Sequence, residues 1–230
     1  MKCFNQNLNQ TVMPVLLLFF SFFLSYHAHA QGYAIEMKYF DAAATDVKMN
    51  LTWSITPREC KLQTRSQLQG KSVTSSFYID TEKNTIKMMD ENPENGKKIF
   101  YTAPVSGIKP DPRFDYKRGK AMVVNETRKI AGFLCKKIVF TTEKFSAELW
   151  VAENLPDVKP WARFFQSYPE LHALSEAGVS GFPLASELKD LSGKTMVSYE
   201  ATSVVEKQFR PADFLVPDDY IDAALLQRKQ

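Results

Sequence analysis

The chain has 230 residues, with 29 Lys and Arg against 26 Asp and Glu and a hydrophobic content of 44%. That near balance points to neither a nucleic acid nor an acidic membrane surface as partner, and the apolar content suits a chain able to build a core. Three histidines and three cysteines narrow the chemistry further once the start of the chain is read.

Met1 to Ala30 carries one positive residue, Lys2, then an apolar run from Val12 to Leu24 and the small-x-small triplet Ala28-His29-Ala30 before Gln31. This is the pattern of a secretory signal peptide. The run falls short of the roughly 20 residues that span a bilayer and contains Pro14 and Ser21, which argues against a membrane anchor. Cys3 precedes the apolar run, so it is not placed for lipidation. The expected arrangement is a signal peptide over 1–30 and a single domain over 31–230, exported to the periplasm or secreted. No Pro/Gly/Ser linker divides that domain, and no later segment is apolar enough to span a membrane. Its length allows burial of roughly 70% of its unfolded surface.

In the mature part, Tyr33 to Phe40 and Val47 to Trp53 alternate apolar and polar residues and predict two strands joined by a hairpin. Cys60 to Leu68 is polar-rich and reads as an exposed or edge strand. Val73 to Asp80 and Thr85 to Asp90 flank the turn cluster TEKN and predict a second hairpin. After the solvated loop NPENGKK comes a short strand, Ile99 to Thr102. Lys109 to Lys120 mixes five basic residues with Phe114, Tyr116, Asp111 and Asp115, and reads as a solvated loop with two aromatic anchors. Met122 to Glu126 resumes a strand. Gly132 suits a tight turn or bulge, and the runs around Ile138 and Leu149 predict a further hairpin with Leu149 and Val151 on its core face.

The period then becomes helical. Asp157 caps a first helix with Pro160 in its first turn, and Trp161, Phe164, Phe165 and Tyr168 recur at helical spacing. Ser167, Glu170, Pro169 and Gly178 mark a second short helix. Phe182 to Leu188 and Lys194 to Lys207 return to strands, Phe214 to Tyr220 is a closing extended segment, and Asp219 to Arg228 forms a terminal helix. The fold class is therefore α+β, mainly β, a curved antiparallel sheet with short helices laid against it.

With His27 and His29 in the signal peptide, His172 is the one histidine of the mature chain. That excludes a histidine-rich metal site and leaves any Ser-His-Asp triad dependent on His172, with no G-x-S-x-G elbow to serve. No phosphate loop or dinucleotide fingerprint is present. The reading is of a non-enzyme that calls for no cofactor and no metal. Cys60 and Cys135 are even in number in an oxidising compartment, so a structural bridge and two buried thiols both fit. Trp53, Phe77, Met88, Phe100, Trp150, Trp161, Phe164 and Phe165 are the candidates to line a cavity between sheet and helices, or to fill it.

The runs Glu126-Thr127, Ile130 to Lys137 and Glu148 to Pro156, with the closing Phe214 to Tyr220, resemble a family of exported bacterial proteins of unknown function. The resemblance implies a half-barrel similar to the periplasmic lipoprotein carrier and its LolA-like relatives, with an apolar concave face and no catalytic residues. Cys60 and the stretch Gln166 to Leu188 depart from plain members. On that footing the expected role is a carrier or binding module for a lipid, acyl chain or other apolar ligand. The alternative is an envelope scaffold with a filled core and a protein partner. Intact mass of the exported protein is expected to begin at Gln31, and a full-length chain held in the membrane fraction would contradict the processing.

Overall fold

The structure, a computed structural model, describes residues 30–44, 49–68, 70–92, 94–104, 119–162, 164 and 169–227. The loop aromatics Phe114 and Tyr116, the helix residue Phe165, the cap Ser167 and the segment 1–29 lie outside those residues. The described strands are β1 (Ala30–Asp41), β2 (Met49–Ile55), β3 (Cys60–Leu68), β4 (Lys71–Asp80), β5 (Thr85–Glu91), β6 (Lys98–Pro104), β7 (Lys120–Ile130), β8 (Phe133–Thr141), β9 (Phe145–Ala152), β10 (Phe182–Asp190), β11 (Thr195–Phe209) and β12 (Ile221–Asp222). The helices are α1 (Lys159–Ala162), α2 (Pro169–Ala177) and α3 (Ala223–Gln227).

All twelve strands form one open, curved sheet in the order β12-β6-β5-β4-β3-β2-β1-β11-β10-β9-β8-β7. Two meanders, β1 to β6 and β7 to β11, are thus joined through the β1–β11 ladder, which runs from Ala30↔Phe209 to Asp41↔Val197. Twist and bulges give such a sheet its curl. At one bulge Glu36 pairs with Ser203 and Met37 with Ala201, leaving Thr202 as the extra residue, and its hydroxyl donates to the Glu36 carbonyl at 3.2 Å.

The period of two sorts the side chains. One face carries Ile35, Met37, Leu51, Trp53, Ile55, Leu62, Ile79, Ile138, Leu149 and Leu188, all buried in one core. We call it the inner face. Its cover is α1, α2 and the connections around them, which contribute Leu155, Val158, Trp161, Phe164, Leu171 and Leu174 to the same core.

Local chemistry explains the turns. At the β2–β3 turn the Thr56 hydroxyl accepts the N–H groups of Arg58 and Glu59 at 3.2 and 2.9 Å. Thr142 does the same for Lys144 and Phe145 at the β8–β9 turn. Between β7 and β8, Ala131 and Gly132 both take positive φ, 47° and 91°, which is the backbone of a two-residue hairpin turn. Asp157 accepts the Lys159 N–H at 3.0 Å and so starts α1 as expected. Gly178, at φ 66°, follows the end of α2. Gly181 lets β10 begin hard against β9, since a Cβ there would lie 2.4 Å from the Ala152 carbonyl oxygen.

Three expectations change. Cys60–Leu68 is not an edge strand but sits between β2 and β4; its polarity arises because the outer face holds Lys61 and Gln63 and the inner face thins out beyond Leu62. The closing segment does more than extend. After β11 it crosses behind the outer face of β3 to β5, where Phe214 packs on Phe209 and Tyr78 at centroid distances of 5.3 and 6.4 Å. Lys61 donates to the Asp213 carbonyl at 3.4 Å. Beyond it, β12 pairs in parallel with β6 through Ile221↔Ile99 and Asp222↔Phe100. Met89, Phe209, Phe214 and Ala223 are buried outside the main core, against this strap.

The third change concerns the cysteines. Cys60 and Cys135 are free, buried thiols and not a bridge. They lie on β3 and β8, six steps apart in the sheet, or roughly 29 Å along it at ~4.8 Å per step, whereas a disulfide needs Cα atoms within about 7 Å. Burial pushes both thiols up, Cys135 to about 11, so neither is a thiolate at neutral pH. A thiol reagent is therefore expected to find no reactive group in the native, unreduced mature protein and two after denaturation; none after denaturation would mean a bridge.

Candidate functional site

The register shows which predicted lining residues meet. One inner-face row crosses seven strands, Val204–Ile35–Trp53–Leu62–Phe77–Met88–Tyr101. Ile35, Trp53 and Leu62 are buried beneath the helices, Phe77 and Met88 are half-buried, and Tyr101 is exposed. Trp53, Phe77 and Met88 are thus brought onto one face as expected. Phe100 is not. It stands opposite Met89, on the outer face beside the strap.

Trp150 is likewise on the outer face, in a row with Lys137, Ala185 and Glu200. Arg128 and Lys137 lie over its ring at 5.9 and 5.6 Å, and Arg128 holds Glu200 through two bonds of 2.7 and 2.9 Å. Its sequence parity, opposite Leu149 and Val151, carried that information. Trp161 and Phe164 do reach the inner face, but at 1% and 2% exposure they are packed core. Where α2 meets the sheet, a crevice of about 20 Å³ lies between the described residues Met37, Leu51, Trp53, Leu171, Phe182 and Tyr199, the space of one water at most.

Larger space opens at the end of the half-barrel. A cavity of about 1270 Å³ lies between the start of β1, the β2–β3 turn, the β4–β5 turn and α1. Ala30, Pro57 and Pro160 give it apolar lining over the buried Ile79 and Trp161, while Arg58, Glu59, Asp80 and Glu82 carry its charge, three acids to one base. Thr56 fixes Arg58 and Glu59 there through the turn bonds described above. Asp80 accepts the Lys83 N–H at 2.9 Å, and that bond holds its carboxyl below the usual range. Burial raises Glu59, and burial together with the acids Glu59, Asp80 and Glu82 raises the Tyr78 phenol. The rim is therefore a negative field around an apolar wall. Sequence reading missed it, because it is assembled from turns whose polar residues look like any solvated hairpin tip.

The second omission is Glu170. It sits with Ala173 and Leu174 on the buried stripe of α2, at i, i+3 and i+4, and is 3% exposed. Burial drives its carboxyl up to about 7, against the opposing pull of its own backbone N–H and of the Tyr199 hydroxyl, which donates to it. Among the described residues that line the crevice around it, no other is charged. Its position on an apolar stripe was the available signal, but the capping-box spacing from Ser167 gave the residue a simpler explanation.

The sequence matches the family described as a domain of unknown function, DUF4412, over residues 34–220. The chain belongs to this family. Among curated proteins none matches it. Among solved structures this DUF4412 chain is similar to an uncharacterized conserved protein from Thermus thermophilus, at 10% identity and TM-score 0.48 over 84% of this chain and 90% of that one. It is similar to a putative outer membrane lipoprotein-sorting protein domain from Vibrio parahaemolyticus, at 10% identity and TM-score 0.36 over 80% and 89%. It is also similar to PNGF-II, at 14% identity and TM-score 0.45 over 87% of this chain, and spans 32% of that protein's length. Likenesses this distant carry no functional argument. No helix among the described residues is long and apolar enough to cross a membrane.

Glu170 generates a pH prediction. Its carboxyl titrates near 7 when folded against an ordinary 4.5, so the folded state favours the protonated form. The unfolded chain ionises first as pH rises, and stability falls between about 4.5 and 7, by on the order of 3 kcal/mol. Urea midpoints measured across that window are expected to decline for the wild type and to decline much less for Glu170→Gln, which stays neutral. Equal slopes for the two proteins would contradict the assignment.

Proposed function

We propose that this DUF4412 domain is an exported, non-enzymatic binding or carrier module of the bacterial envelope that takes up an amphiphile at the open end of its half-barrel. The cavity of about 1270 Å³ with Ala30, Pro57 and Pro160 in its apolar lining is the observation that supports this reading. It exceeds the volume of about 300–1,000 Å³ usual for small-molecule sites and is concave at the mouth of a curved sheet, where such sites concentrate. An acyl or ring portion would lie on the apolar lining at Ala30, Pro57 and Pro160. Three carboxylates against Arg58 at the rim favour a neutral or amine-bearing polar end over a carboxylate. The carboxyl held near neutrality, Glu170, is sealed under α2 rather than placed at the cavity, which fits binding without acid–base chemistry.

A second reading, a protein-interaction module with a filled interior, is favoured by the burial of Trp161 and Phe164 and by the closed crevice under α2. A neutral apolar probe separates the two. N-phenyl-1-naphthylamine is expected to gain fluorescence on the wild type, and Arg58→Trp, which fills the mouth while keeping the turn backbone, is expected to weaken binding at least about tenfold, or ~1.4 kcal/mol, with an unchanged urea midpoint. No enhancement with the wild type would sink the carrier reading. Enhancement untouched by Arg58→Trp would move the site elsewhere.

A further inference from the structure

The outer face of the sheet carries a second concavity, of about 370 Å³, that shares no lining residue with the rim cavity. Two rows of the register build it. One runs Lys137–Trp150–Ala185–Glu200–Lys38 and the other, two residues along each strand, Glu148–Glu187–Ser198–Phe40. Each row places a small residue, Ala185 or Ser198, between bulky ones, so the face dips at its centre. Trp150 bounds the dip on β9 and Phe40 bounds it on β1, three strand steps away, or roughly 14 Å at ~4.8 Å per step. Phe40 is 42% exposed. The volume falls within the range of about 300–1,000 Å³ usual for small-molecule sites.

The charges of the lining are balanced before any ligand arrives. Glu200 is met by Arg128 at 2.7 Å, Glu148 by Lys137 at 3.1 Å and Glu187 by Lys189 at 3.0 Å. Among the described residues, Lys38 is the lining charge outside these pairs, so the trough presents little net field to draw in an ion. Pairing does not exhaust the groups. A carboxylate has about four acceptor sites and a guanidinium five donors, and the bonds they offer to hydroxyl groups are charge-assisted and strong. Arg128 and Lys137 also lie over the Trp150 ring, so one network holds both the wall and the polar rim in place, the preorganisation that lowers the cost of binding.

We infer that this outer-face trough binds a neutral saccharide. A pyranose ring has the matching chemistry: hydroxyls around its edge that both donate and accept, and a face of C–H groups that the negative face of an aromatic ring attracts. Phe40 supplies the platform for that C–H face. Trp150, pinned by its cations, closes the other end. Glu148, Glu187 and Glu200 accept from the sugar hydroxyls, and Arg128 donates to them. An acyl chain is a poor occupant, because laying it along either row would strip water from ion pairs and return no hydrogen bond. An acidic sugar would bring its carboxylate against three others. The site stands on the opposite side of β1 from the core and does not depend on the amphiphile reading.

The purified exported protein is to be screened against cello-, malto-, manno- and chito-oligosaccharides and against uronic-acid-bearing counterparts. Saturable binding of at least one neutral series is expected. Titration of the strongest binder is expected to shift the indole N–H resonance of Trp150 and to leave those of the buried Trp53 and Trp161 in place. Phe40→Ala, an exposed change, and Ser198→Phe, which fills the floor, are each expected to weaken binding at least tenfold with an unchanged urea midpoint. Arg58→Trp, at the rim cavity, is expected to leave it intact. A wild type that binds the sugar but not N-phenyl-1-naphthylamine supports this site and removes only the amphiphile reading. Absence of binding in every neutral series overturns the proposal. So does a preference for the uronic-acid forms, or binding that Phe40→Ala and Ser198→Phe both leave untouched.

Discussion

The structure depends on the β1–β11 ladder. Each meander is built from neighbours in sequence, and each turn is closed by local chemistry such as the hydroxyls of Thr56 and Thr142. Joining the meanders requires residues about 156 to 179 apart, from Asp41↔Val197 to Ala30↔Phe209, to find one another. Closing so long a loop is the slow and entropically costly step of an antiparallel β fold. The Thr202 bulge makes the union useful: it shifts parity once, so that Tyr199, Ala201 and Val204 all serve the inner face. Without the shift, one end of β11 would turn its apolar residues outward.

That union sets the shape of the interior. Short helices fill the central part of the trough and seal Glu170 beneath them, while the β3–β6 end stays thinly covered, and the rim cavity lies where the cover stops. The contrast is one of chain supply. Leu155, Val158, Trp161, Phe164, Leu171, Leu174 and Val179 join the core from this side, α2 lies on β7 and β8 and reaches Met37, Leu51, Phe182 and Tyr199, and the row through Trp53 passes from buried to exposed as it reaches Tyr101.

Much of this was legible in the sequence. Alternation at Tyr33–Phe40, Thr85–Asp90 and Leu149–Val151 gives strands because the period of two is a local property, and Asp157, Pro160 and Gly178 mark helix ends for equally local reasons. The fold class and the meeting of Trp53, Phe77 and Met88 followed from the same patterns. Phe100 and Trp150 failed as lining residues for a common cause: an aromatic residue on a strand serves either face, and only the pairing shows which one is covered by helices and which by a strap or by cations. Glu170 and the rim carboxylates were hidden more deeply. Their environment is assembled from segments far apart in the chain, and no window of sequence contains it.

The strap has a consequence for a chain whose C-terminal stretch is the last to be added. The outer face around Tyr78 and Met89 remains uncovered until Phe214 arrives, and β6 keeps an open edge until Ile221 and Asp222 arrive. A first meander without that last stretch would keep an open edge at β6 and an apolar outer face around Met89. Unpaired edges and exposed apolar faces are what misassemble in partly folded chains. The stretch from Pro211 to Asp222 thus acts as the clasp that finishes the sheet, and loss of that clasp would show first as aggregation.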